Sequence, residues 1–106
     1  MKKYTVNITD EALADMEALY NYIAFKLLAP GNAIGQYNRI ADAILSLDEY
    51  PNRFELFESE PEHSWGMHKM VVDNYLVCYI VDDDTVTVTD VLYGASDVHY
   101  RLQERH

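Results

Sequence analysis

Basic residues are scarce in this sequence: eight Lys and Arg stand against eighteen Asp and Glu in 106 residues, for a net charge of −10. A chain so acidic repels phosphate backbones within a Debye length, which disfavours general nucleic-acid binding. The cations are also dispersed (Lys2, Lys3, Lys26, Arg39, Arg53, Lys69, Arg101, Arg105), with no basic run of the kind a nucleic-acid patch uses. There is one cysteine, Cys78, which excludes an internal disulfide. It lies in the most apolar stretch, where a free thiol behaves as a small buried hydrophobe rather than a nucleophile. No segment approaches the roughly 20 apolar residues that span a bilayer. The N-terminus runs straight into an alternating pattern with no apolar leader. The expectation is a soluble cytoplasmic chain with no membrane partner.

What is present has ordinary globular composition, 49% apolar and 25% charged, and a length that fits one domain over 1–106. Acidic residues cluster in "ESEPE" (58–62) and "DDD" (82–84). Both read as solvated loops, because a calcium loop needs alternating ligands, a glycine and a later glutamate. No metal or other cofactor is expected.

Tyr4, Val6 and Ile8 alternate with polar residues at the period of a half-buried strand. Thr9 offers a hydroxyl cap, and Asp10 and Glu11 suit the first turn of a following helix. Leu13, Met16, Tyr20, Ile23 and Leu27 form an apolar stripe that ends at "APGN" (29–32). Asn32 can cap a second helix, with Ile34, Tyr37, Ile40, Ala41, Ile44 and Leu47 as its stripe up to Pro51. Two helices joined so closely pair as an antiparallel hairpin.

The stretch "PNRFELFESEPEHSW" (51–65) has no steady period and reads as a connection, with Phe54, Phe57 and Trp65 as anchors onto the core. Three strands follow at 66–72, 75–81 and 85–93, separated by Asp73-Asn74 and by the aspartate turn. The middle one is apolar at nearly every position, as a strand covered on both faces should be. Ser96 or Asp97 can cap a short last helix. The predicted class is α+β: an N-terminal strand, an antiparallel helical hairpin packed on a mainly antiparallel four-stranded sheet, and a short C-terminal helix.

The segments "ALADMEALYNYIA" (12–24), "ILSLDEYPNRF" (44–54) and "GMHKMVVDNYLVCYIVDDDTVTVTDVLYGASD" (66–97), in this order and spacing, resemble the RelE/ParE superfamily of bacterial type II toxins, often labelled plasmid stabilisation proteins. The resemblance covers almost the whole chain. It implies a toxin neutralised by a cognate antitoxin, as a homodimer or a toxin–antitoxin hetero-oligomer. Some members cleave messenger RNA on the ribosome and others poison DNA gyrase.

Metal-independent RNA cleavage needs a base for the 2′-hydroxyl, a cation for the phosphorane and an acid for the leaving oxygen. In the ribonuclease branch the cations come from the second strand, from the residue after the third-strand tyrosine, and from just after the glycine that closes the fourth strand. By that resemblance Lys69 matches the first site, whereas Leu76 and Ser96 stand at the other two. His99 and Tyr100 are the remaining acid/base candidates, against a plain reading as a solvated histidine and a packing tyrosine. His68 and Lys69 adjoin on a strand, so only one can join a given site. Tyr75, Tyr79 and Tyr93 read as packing residues.

Three functions follow as expectations: a toxin acting on a protein such as gyrase, a ribonuclease toxin using Lys69 with His99 or Tyr100, and a degenerate member that only binds antitoxin. The acidic balance and the missing arginines favour the first. The same balance predicts an antitoxin whose toxin-binding segment is basic or neutral.

Overall fold

The computed structural model describes residues 2–94 and 98–105, without the side chain of His99. Strand β1 (Thr5–Ile8) alternates between exposed and half-buried positions, as its period predicts. Thr9 then turns extended, with φ −72° and ψ 163°, and its Oγ1 accepts the Ala12 N–H at 3.1 Å. Helix α1 (Asp10–Asn21) therefore begins where the cap and the acidic first turn predict.

Its phase differs from the expected stripe. Ala12, Met16 and Leu19 are buried, while Leu13 and Leu27 are exposed. Thr9 is tied to the sheet, its N–H donating to Val88 O and its hydroxyl to Thr89 O, and these bonds set the rotation at which the helix leaves the strand. A π-helical turn, Tyr22–Lys26, then adds a residue to the last turn and swings Leu27 outward.

Helix α2 (Pro30–Leu45) starts at Pro30, two residues before the expected cap Asn32, because a first-turn residue needs no N–H donor and proline's φ is already helical. Ala33, Ile40 and Ile44 face the core and Ile34 is exposed. A 3-10 turn, Ser46–Asp48, carries Leu47 into the core, and Asp48 O accepts the Tyr4 N–H.

Strands β2 (Met67–Val72), β3 (Tyr75–Asp82) and β4 (Thr85–Tyr93) form an antiparallel meander. Asp73 and Asp83 take positive φ at its two turns, where Asp is among the residues that tolerate that conformation. The sheet order is β1-β4-β3-β2, with β1 parallel to β4. The helical pair supplies the crossover that a parallel pairing requires.

Two cores lie on the two faces of this sheet. On the first, α1 and α2 pack on Met70, Val77, Tyr79, Val86, Val88 and Val91. On the second, helix α3 (Val98–Arg105) and the 51–65 connection bring Leu102 and Phe57 onto Met67, Cys78 and Leu92. Val77, Cys78 and Tyr79 are all fully buried, so β3 serves both faces, as its continuous apolar run predicts. The expected caps Ser96 and Asp97 lie outside the described residues. Among the described residues no helix is long and apolar enough to cross a membrane.

Candidate functional site

Strand alternation separates His68 from Lys69. His68 turns to the first face, stacked on Tyr79 with ring centroids 5.0 Å apart, and its Nδ1 lies 2.8 Å from Phe54 O. Lys69 turns to the second face. Its Nζ is 3.7 Å from Glu55 Oε1 and 5.5 Å from the Phe57 ring centroid, so its charge is held against the connection. Leu76 packs on the second core. Tyr100 lies two residues before the fully buried Leu102, about 200° round α3, and is 58% exposed. Lys69 thus stands among sheet-side neighbours, while Tyr100 is on the side of α3 turned from the sheet. The side chain of His99, and Ser96, lie outside the described residues.

A second constellation joins residues that sequence reading passed over. Arg105 clasps Asp15 with both nitrogens, Nη1 to Oδ2 at 2.7 Å and Nη2 to Oδ1 at 2.6 Å, and Nη1 also reaches Asp90 Oδ1 at 2.7 Å. Asp15 Oδ2 accepts the Val91 N–H at 2.9 Å, where β4 runs past the end of β1. Asp90 is fully buried, and the Thr89 hydroxyl donates to its Oδ2 at 2.8 Å. The hydrogen bond to Asp15, then that to Asp90, holds the Arg105 proton more tightly than usual. Burial, with Asp90 nearby, pushes the Cys78 thiol well above its ordinary value, which makes it a poor nucleophile. The only local signal for this clasp was an arginine in the last turn of a helix.

A groove of about 960 Å³ opens where the end of α1 and the start of α2 meet the ends of β3 and β4 and the flank of α3. Tyr22, Tyr75, Tyr93, Leu27, Arg39 and Arg101 are among its lining. The Tyr75 and Tyr93 rings meet edge to face at 5.7 Å. Burial, with Tyr93 and Tyr22 nearby, raises the Tyr75 hydroxyl above its usual value. Arg39 is paired with Asp73 at 2.7 Å, whereas Arg101 makes no ion pair among the described residues. Of its apolar lining, Tyr22 and Leu27 are 54% and 56% exposed. Phe25 and Leu28, in the same stretch of chain, are 70% and 82% exposed, and Leu28 holds φ at +52°.

The family described as ParE toxin of type II toxin–antitoxin system, parDE, matches residues 6–98. The fold is shared with solved structures. A chain of the chromosomal ParDE toxin–antitoxin system from P. aeruginosa superposes with a TM-score of 0.72 at 18% identity, covering 88% of this chain and 98% of that one. A chain of the toxin–antitoxin complex RelBE2 from Mycobacterium tuberculosis gives 0.61 at 21% identity, over 86% and 98%. The isolated E. coli RelE toxin gives 0.58 at 18% identity, over 96% and 97%. No curated protein matches the sequence.

Proposed function

The chain belongs to the family of ParE toxins of type II toxin–antitoxin systems, and from that membership we propose that it arrests growth by binding a cytoplasmic protein target such as DNA gyrase and is neutralised by a cognate antitoxin. The solved relatives named for the ParDE and RelBE2 systems support the antitoxin partner. The observation that favours a protein target over RNA cleavage is the state of Lys69. Its ammonium is held at Glu55 and over Phe57, Leu76 stands in apolar packing where a second cation would be wanted, and Tyr100 is on the far side of α3. Cleavage needs a cation, a base and an acid converging on one phosphate, because each acts only within hydrogen-bond reach. A binding toxin needs only a surface.

Induced expression of the chain alone in a bacterial host, with pulse-labelling of protein and DNA synthesis, tests this. The expected result is filamentation and early loss of DNA synthesis that persists in Lys69→Ala and His99→Ala. Early loss of translation that Lys69→Ala abolishes establishes RNA cleavage instead. Unaffected growth with soluble protein leaves a member that only binds antitoxin.

A further inference from the structure

A cleft of about 480 Å³ lies where the first residues of the chain meet the turn that follows Asp48, lined by Lys2, Tyr4, Tyr50, Pro51, Asn52 and Arg53. It shares no lining residue with the large groove and holds none of the residues weighed for RNA cleavage. Within it Tyr50 stands at φ +48° and ψ +53°. A bulky residue in the left-handed region is strained, and the proline after it favours an extended conformation instead. The ring is 66% exposed, so its burial does not account for the strain. The turn is nevertheless locked from several sides. Arg53 Nη1 donates to Tyr50 O at 3.1 Å and also to Glu49 O, Arg53 Nη2 donates to Ser46 Oγ at 2.9 Å, and the Tyr79 hydroxyl donates to Pro51 O. Strained residues held by rigid surroundings in this way cluster at ligand sites.

The charge of the cleft runs against that of the chain. In a protein of net charge −10, its charged lining is two cations and no carboxylate. The adjoining acids in sequence, Asp48 and Glu49, both lie on Lys3, at 3.4 and 2.6 Å. Lys2 Nζ sits over the Tyr4 ring, 4.9 Å from its centroid, and neither Lys2 nor Arg53 makes an ion pair among the described residues. The Asn52 amide and Arg53 Nε likewise make no hydrogen bond among them.

Each of these groups has a counterpart in one kind of ligand. Tyrosine faces stack on nucleobases, a carboxamide that both donates and accepts matches the edge of adenine, and an ammonium with a guanidinium pairs with a phosphate. The volume also falls in the range of small-ligand sites, about 300–1,000 Å³. We infer that this cleft binds a nucleoside monophosphate, with the base against Tyr50 and Tyr4, its edge on Asn52 and its phosphate at Lys2 and Arg53. The inference stands apart from the toxin reading. A ligand here joins the start of β1 to the end of the helical hairpin, segments otherwise linked by the Tyr4 N–H to Asp48 O and by the Lys3 pairs, so binding also raises the thermal midpoint.

The test titrates the isotope-labelled full chain with adenosine monophosphate, adenosine and inorganic phosphate, following backbone amides by NMR. The expected result is a saturable shift around residues 2–4 and 50–53. The monophosphate binds with a Kd of about 1 mM or below, and adenosine or phosphate alone at least about tenfold more weakly. Lys2→Glu reverses a charge that faces the phosphate and lowers affinity for the monophosphate about tenfold or more. Tyr50→Gly moves two readouts apart: glycine takes the left-handed conformation freely, so the thermal midpoint is kept or raised, while loss of the ring weakens binding about tenfold or more. Lys2 and Tyr50 are both exposed, so neither variant threatens folding. No saturable shift with the monophosphate overturns the site, as does a shift that survives both substitutions. Phosphate binding as tightly as the monophosphate overturns the nucleoside assignment.

Discussion

The two faces of the sheet are covered in different ways. On the first, α1 and α2 lay rows of Ala, Met, Leu and Ile on Val and Tyr, and the Tyr79 hydroxyl finds a partner in Pro51 O at 2.6 Å. On the second, the cover is the irregular 51–65 connection and α3, of eight residues, with two fully buried carboxylates near it. Glu62 accepts from Ser59 and from Gln103, and Asp90 from Thr89 and Arg105. A helix of that length does not hold itself in water, so its place depends on Leu102 and on the clasp of Arg105. The first face is held by distributed packing, whereas the second is held by a few anchors. Distributed packing loses stability gradually as groups are removed, but anchored cover can be released by one change.

Arg105→Ala tests that contrast most strongly. It removes the cation from fully buried Asp90 and from Asp15, and breaking such a pair costs about 3 kcal/mol, the lower end of the usual range because the Thr89 hydroxyl still donates to Asp90. Urea unfolding gives the size of the loss. Alkylation of Cys78, which is fully buried on the second face, gives its location. If α3 is anchored cover, the thiol of Arg105→Ala reacts under conditions where the first face stays folded. Labelling only in step with global unfolding would mean that the two faces form one cooperative unit.

The contrast also explains what the sequence made legible. The order of elements, the Thr9 cap, the central character of β3 and the opposite aim of His68 and Lys69 all follow from period and local chemistry, which act over a few residues. The phase of α1 did not, since it is set by Thr9 bonding across to Val88 and Thr89. The start of α2 at Pro30 came from a proline that reads equally as a breaker. The Asp15–Arg105 clasp joins residues 90 apart, and no periodicity reports such a pair. Of the three tyrosines read as packing residues, Tyr79 is fully buried, whereas Tyr93 is 49% exposed at the groove, where the end of a strand leaves its ring half uncovered.

Alkaline pH probes the first face. Burial pushes the Tyr79 hydroxyl up to about 12, against about 10 in an unfolded chain. Between those values the unfolded state releases the proton and the folded state keeps it. Stability is therefore whole below about pH 10 and falls as pH rises toward 12, by about 2–3 kcal/mol. Tyr75, also raised by burial, acts in the same direction. Tyr79→Phe costs about 1 kcal/mol at neutral pH by losing the bond to Pro51, and it should flatten the alkaline decline measured by urea midpoints at pH 8 and pH 11. Parallel declines in both proteins would place the alkaline sensitivity at groups other than Tyr79, Tyr75 first among them.

The smallest expected effect lies at the rim of the second face. Lys69 is 30% exposed and its partner Glu55 is 71% exposed, so their pair contributes less than about 1 kcal/mol, and the contact over Phe57 adds a similar or smaller amount. Lys69→Ala should therefore unfold within about 1 kcal/mol of the parent in urea. A larger loss would make the connection and β2 part of the anchoring of the second face rather than its rim. A small loss has a further consequence: with the fold intact, any change in toxicity of Lys69→Ala reports on the Lys69 ammonium itself. Persistent arrest of DNA synthesis in that variant then argues for a binding surface, because a cleavage centre that loses its cation loses charge stabilisation in its transition state.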